Sequence, residues 1–293
     1  MIKILNRIVE KLFKLKNLNK QQNELKILVG LLLLDGKKES ENINDNELRV
    51  FSQFGEDGII NFLIKQINLK TKTFIEFGVE DYEESNTKFL LEARNWEGLV
   101  FDSSQVFIDL IKKKDFYWRN NLMAINAFIT AENIDDLIKQ NFQFKEVGLM
   151  SIDIDGNDYW VWKAIETCKP AIVIIEYNAR FGFKESVSIP YKKKFNRVSE
   201  HPSSIYFGAS LMALYKLGKE KGYSLVGTNL NGNNSFFVRD DLIKKNEHIK
   251  TFTPEQCFHT NSFNELRDKK GNILNRNSLI EKEILEKLPL VKI

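Results

Sequence analysis

Along the middle of the chain, short apolar runs alternate with stretches in which apolar residues return every third or fourth position. The runs at 73–77, 99–101, 122–128, 147–153 and 171–177 predict buried strands. The spacing over 86–94, 106–113, 131–140 and 159–168 predicts helices between them. Strand and helix alternating in this way build a parallel sheet covered on both faces. After residue 177 the alternation stops. A helix is predicted over 205–221, followed by strands at 223–228 and 235–239, whose turn holds Asn231 and Gly232, a strong hairpin signal. The expected fold class is α/β: a doubly wound, mostly parallel sheet closed by a hairpin that leaves one antiparallel strand at its edge.

Residues 1–35 have helical spacing, with Ile2, Leu5, Val9, Leu12 and Phe13 on one stripe and Lys3, Arg7, Lys11 and Lys14 largely elsewhere. A basic amphipathic helix of this kind packs on its own domain, joins a homo-oligomer, or makes a weak peripheral contact with a membrane. A polar loop is expected over 36–47 and a helix over 58–67. Residues 240–293 are rich in Lys, Glu and Asn, with a helix expected near 278–288, and carry no readable chemistry. The expected division is an N-terminal helical extension (1–48), a ligand-binding catalytic domain (49–240) and a C-terminal helical extension (241–293).

Composition narrows the field. A chain of 293 residues with a net charge of +3 lacks the basic stripe of a dedicated nucleic-acid binder. Cys168 and Cys257 form no framework, so a reducing, cytoplasmic compartment is expected. The longest apolar run, 27–34, is too short to cross a bilayer and is interrupted by Gly30, and the first residues do not read as a secretory signal.

Residues 73–102 make one βαβ unit, with Gly78 after its first strand and Asp102 ending its second. Such a glycine lets backbone approach a ligand, and an acid at the second strand end accepts hydrogen bonds from both ribose hydroxyls. The dinucleotide fingerprint is absent, because Val79, Glu80 and Asp81 follow Gly78. The acids Glu80, Asp81, Glu83 and Glu84 would repel a pyrophosphate. A ribose ligand with positive charge and no phosphate suits this turn, and S-adenosylmethionine is one.

Further acids stand where the sheet's carboxyl ends should lie: Asp153, Asp155 and Asp158 after the fourth strand, and Glu176 with Tyr177 and Asn178 after the fifth. Asp158 is the expected N-cap of the following helix. Two readings of the rest stay open. Asp155, Glu176 and Asn178 hold Mg²⁺ or Mn²⁺, which lowers the pKa of an acceptor hydroxyl, or Asp155 acts directly as general base. In the long segment 179–204, Tyr191, Lys192 to Lys194 and Arg197 are candidates to contact an anionic substrate, and His201 is a second candidate base.

Taken together, Ser52-Gln53, Gly55-Glu56-Asp57, Ile75-Glu76, Gly78, Ser85-Asn86-Thr87, Trp96, Gly98, Asp102, the run 152–156 and Ile174 to Glu176 resemble the FkbM-like group of class I S-adenosylmethionine-dependent methyltransferases. The resemblance covers about residues 50–240. It implies a Rossmann-like methyltransferase fold with seven strands, the last antiparallel, and methyl transfer to oxygen of a sugar, such as a nucleotide sugar or a surface-glycan precursor. Carried over, Glu76 and Gly78 would line the methionine part, and Gln53, Ser85, Asn86 and Thr87 are further candidates to bind the cofactor. Asp102 would hold the ribose, and Asp153 and Asp155 would face the methyl group, with Asp153 also counted among the cofactor-binding residues; Tyr177 is a candidate to contact the substrate. A rival reading is a non-catalytic nucleoside-binding module that serves as a protein or membrane partner.

Overall fold

The computed structural model describes residues 2–36, 40–246, 248–275 and 278–293, with the backbone alone at 2–16 and 278. Nine strands are formed among them: β1 Thr73–Phe77, β2 Glu97–Asp102, β3 Leu122–Asn126, β4 Leu149–Ile152, β5 Ile172–Glu176, β6 Val187–Ser188, β7 Tyr223–Thr228, β8 Asn234–Arg239 and β9 Val291–Lys292. Seven of these make one sheet in the order β3-β2-β1-β4-β5-β8-β7, and β6 pairs with β9. The principal helices are α1 Ile2–Gly36, α2 Glu56–Gln66, α3 Lys88–Arg94, α4 Gln105–Lys112, α5 Ile134–Asn141, α6 Asp158–Ala164, α7 Leu211–Lys221 and α8 Ser278–Glu286.

The sheet matches the expected doubly wound, mostly parallel form in all but one respect. The antiparallel strand is β8, and it lies between β5 and β7 instead of at the edge. Its composition explains this: Phe236, Phe237 and Val238 are fully buried, so both faces of β8 need cover. The edge falls to β7, where a register shift at Leu225/Gly227 interrupts the ladder, a common way of blunting an edge.

Two apolar layers sandwich the sheet. One includes Phe77, Phe101, Trp162 and Phe237, and the other Phe74, Val100, Ile174 and Phe236, as alternation along each strand requires. The helix expected over 205–221 begins only at Leu211. Gly208 has φ 65°, and the Ser210 side chain accepts from the amide of Ala213, so 205–209 stays outside the helix and is buried.

At the N-terminus, α1 lays Ile27, Leu31 and Leu34 against Val50, Phe51 and Phe89 of its own domain. The stripe from Ile2 to Phe13 consists of side chains outside the described residues. No helix among the described residues is long and apolar enough to cross a membrane. The C-terminal segment folds back on 186–207. Tyr206 Oη donates to the Pro289 carbonyl at 2.6 Å, and Leu266 and Leu285 join Ile189, Phe195 and Phe207 in a small core.

Candidate functional site

The strand order reverses between β1 and β4, and there a cavity of about 540 Å³ opens at the carboxyl ends of β1, β2, β4 and β5. Gly78 forms its floor. It has φ +71°, and a Cβ placed on it would lie 1.8 Å from the carbonyl oxygen of Asp153. Only glycine permits this approach of β1 to β4.

Asp102, at the end of β2, accepts from the amide of Ser104 at 2.7 Å through one oxygen and from that of Glu80 at 2.8 Å through the other. A carboxylate has about four acceptor positions, so lone pairs remain for a diol. Burial raises its pKa. Phe107, Phe128 and Ile129 form an apolar wall beyond it, with Phe128 47% exposed.

Glu76 lines the cavity, but its oxygens are taken by the chain. They accept from Ser85 Oγ at 2.6 Å, from the amides of Asn86 and Thr87 at 2.9 and 3.2 Å, and from Thr87 Oγ1. Ser85 and Asn86 line the cavity with Gln53, whereas Thr87 is fully buried behind them, bonded to Tyr82. Burial raises the Glu80 carboxyl, and the charges of Asp102, Asp155, Asp81 and Glu84 raise it further. Glu83 turns away to Lys88 and Lys114.

Asp57 and Glu56, in the first turn of α2, hold the rim. Asp57 Oδ2 accepts from the amides of Val50, Phe51 and Ser52 at 2.7 to 2.8 Å. Glu56 Oε1 accepts from the amides of the Asn229 and Asn234 side chains, which ties α2 to the hairpin that brings Asn233 and Asn234 to the cavity.

Asp153, Asp155 and Glu176 come together, with one oxygen from each within 4.8 Å of the others. Burial raises Asp153 and Glu176 well above ordinary carboxyl values. Asp155 and Asp158 add to this at Asp153, and Asp153 and Asp155 do so at Glu176. Glu176 is 6% exposed, and its Oε2 has no hydrogen-bond partner. Asp155, at φ 56°, is exposed and accepts from Arg197 Nη1 at 2.6 Å. Arg197 also donates to the carbonyl of Ser204 at 2.6 Å, pairs with Glu265, and lies 3.8 Å over the ring of Phe207. Burial alone would lower its pKa, but Glu265, Glu176 and Asp155 hold it above the ordinary guanidinium value.

Several expected site residues lie elsewhere. Asp158 is not the N-cap of α6 but its first residue, and its carboxylate accepts from the amides of Ile154 and Gly156 at 2.8 and 2.9 Å, pinning the turn that carries Asp155. Burial lifts it to about 6. The Asn178 side chain donates to the carbonyls of Ile205 and Phe207 and accepts from the amide of Arg180, so its amide is committed to a buried turn. Tyr177 is buried behind the strand end, donating to the carbonyl of His259 at 2.8 Å. Tyr191 bonds Glu132, Lys192 pairs with Glu200, and the His201 ring bonds Ser203 Oγ at 2.6 Å. None of these five (Tyr177, Asn178, Tyr191, Lys192, His201) lines the cavity. Phe263 and Glu265, which do, escaped the sequence reading because they stand in an irregular segment without periodicity.

No family model and no curated protein matches the chain. Among solved structures it is similar to a putative caffeoyl-CoA O-methyltransferase from Staphylococcus aureus, with 14% identity over 77% of this chain and 97% of that one and a TM-score of 0.43. It is also similar to an O-methyltransferase from Bacillus cereus in complex with SAH (14%, 72% and 88%, TM-score 0.41). A third is an S-adenosylmethionine-dependent methyltransferase from Clostridium acetobutylicum (9%, 72% and 96%, TM-score 0.38). At these identities and scores the likeness bears on neither ligand nor reaction.

Proposed function

We propose that the chain is an S-adenosylmethionine-dependent O-methyltransferase acting on a polyol hydroxyl, as a sugar carries. The observation that supports it most is the pairing of Gly78 with Asp102 at the switch point: a backbone floor that only glycine allows, facing a carboxylate with lone pairs to spare. The residues present fit this cofactor. Its ribose meets Asp102 and its base meets Phe107, Phe128 and Ile129. Its positive charges meet an acid-lined turn in which burial, and then the neighbouring carboxylates, raise Glu80. A pyrophosphate would meet the same acids unfavourably.

When bound, the cofactor supplies a methyl group from its sulfonium and leaves as the neutral thioether S-adenosylhomocysteine. The chain has to orient the acceptor hydroxyl and receive its proton. Asp155 is poorly placed for that task, being held in an ion pair with Arg197. Asp153 and Glu176, with raised affinity for a proton, are the acceptors of choice. The expected metal set of Asp155, Glu176 and Asn178 is not assembled, since Asp155 is engaged by Arg197 and Asn178 by backbone.

Calorimetry with S-adenosylhomocysteine tests the cofactor reading, and absence of binding at millimolar ligand would remove it. Transfer of labelled methyl groups in excess EDTA from metal-stripped protein tests the rest: activity is expected to persist, and restoration only by Mg²⁺ or Mn²⁺ would assign the carboxylates to a metal. Cofactor binding with no turnover on any polyol would favour the non-catalytic module.

A further inference from the structure

Among the described residues that line the cavity, eight carboxylates stand against one guanidinium. That guanidinium, Arg197, is already spent on Asp155 and Glu265. Bound S-adenosylmethionine brings a single net positive charge, which leaves the acidic groups in excess. Of the basic side chains expected to contact an anionic substrate, Lys192 pairs with Glu200 and Lys193 with Glu132. A nucleotide-linked acceptor would therefore enter against the field, with no unpaired cation of the cavity wall to receive its diphosphate.

The acidic corner has one further feature. Glu176 is buried at the end of β5, lines the cavity, and leaves Oε2 without a partner. A buried acceptor oxygen left unmade is costly, and a donor from the ligand removes that cost. An oxygen of its neighbour Asp153 lies within 4.8 Å of one on Glu176, close enough for adjacent substituents of one small polyol to reach both carboxylates.

We infer that the acceptor is an amine-bearing polyol whose ammonium is held by Glu176 and whose adjacent hydroxyl, the one methylated, is held by Asp153. This rests on the methyl-transfer reading. An ammonium at Glu176 would also offset the raised proton affinity of the two neighbouring carboxylates, because a cation beside them favours their charged forms. Asp153 is then free to take the hydroxyl proton while Glu176 stays paired.

The test uses the full chain saturated with S-adenosylhomocysteine, in EDTA and at low ionic strength, with glucosamine as probe beside glucose and UDP-glucose. Glucosamine is expected to bind at least about tenfold more tightly than glucose, as a charged hydrogen bond allows, and UDP-glucose not at all. Glu176→Gln should abolish the preference for the amine while leaving S-adenosylhomocysteine affinity within about twofold, since the inference assigns Glu176 to the acceptor and not to the cofactor. Equal binding of glucose and glucosamine, tighter binding of UDP-glucose, a preference that survives Glu176→Gln, or no binding of glucosamine would each overturn the inference. So would Mn²⁺ that binds with loss in Glu176→Gln and displaces glucosamine, which would give the corner to a divalent ion. Failure of S-adenosylhomocysteine to bind at the first step is a separate outcome that removes the cofactor reading itself.

Discussion

The carbonyl oxygen of Asp153 occupies the space that a side chain at Gly78 would need: a Cβ there would lie 1.8 Å from it. The floor of the cavity and the acidic corner are therefore one unit, the end of β1 resting directly on the turn after β4. Gly78→Ala must move one of them. A residue with a side chain pays about 1–2 kcal/mol for the left-handed backbone alone, before any clash. The variant is expected to lose more than about tenfold in S-adenosylhomocysteine affinity and to melt at lower temperature. Wild-type affinity in calorimetry would show that the backbone does not meet the cofactor.

Asp102 stands opposite, on β2. Asp102→Ala is expected to weaken cofactor binding by about 1.5–3 kcal/mol, the range for hydrogen bonds to a charged group. Because its oxygens also accept from Ser104 and Glu80, circular dichroism should accompany the titration. Unchanged affinity in a folded variant would contradict its role at the ribose.

Leu266 is fully buried in the small core formed by the C-terminal segment, one residue from Glu265. Leu266→Ala is expected to cost about 2–5 kcal/mol of stability if that core unfolds together with the sheet. Below the melting transition, acceptor binding should suffer more than cofactor binding, because Glu265 and Phe263 reach the cavity from this segment while the cofactor wall does not. A fully stable variant with unaltered acceptor affinity would mean that the segment contributes nothing to the site.

The buried acids set a dependence on pH with a definite sign. Asp153, Glu176 and Asp158 all hold their protons more tightly when folded, Asp158 to about 6. A raised carboxyl value means that the folded chain binds protons the unfolded chain has released. The contribution of each is then lost as pH rises from the unfolded value through the folded one. The melting temperature of ligand-free Glu176→Gln, relative to wild type, is expected to increase between about pH 4.5 and 7. A difference that stays flat or shrinks across this interval would show that Glu176 ionises normally.

What the sequence determined was whatever depends on local period. Runs such as Ile172 to Glu176 and the Asn231-Gly232 turn specify strands and a hairpin by burial and backbone preference, and these appear at the residues expected. Gly78 and Asp102 were legible for the same reason, since each closes a strand of the βαβ unit and strand ends meet at the switch point. The tertiary structure decided which of the remaining polar groups face the cavity. Glu176 does and Tyr177, its neighbour, does not, because the chain leaves the sheet there and Tyr177 finds a partner in the carbonyl of His259. Arg197 was legible as a cation but not as one already shared between Asp155 and Glu265, a residue 68 positions further along. Contacts of that span carry no periodic signature, because they are chosen by charge and fit only after distant segments have been brought together.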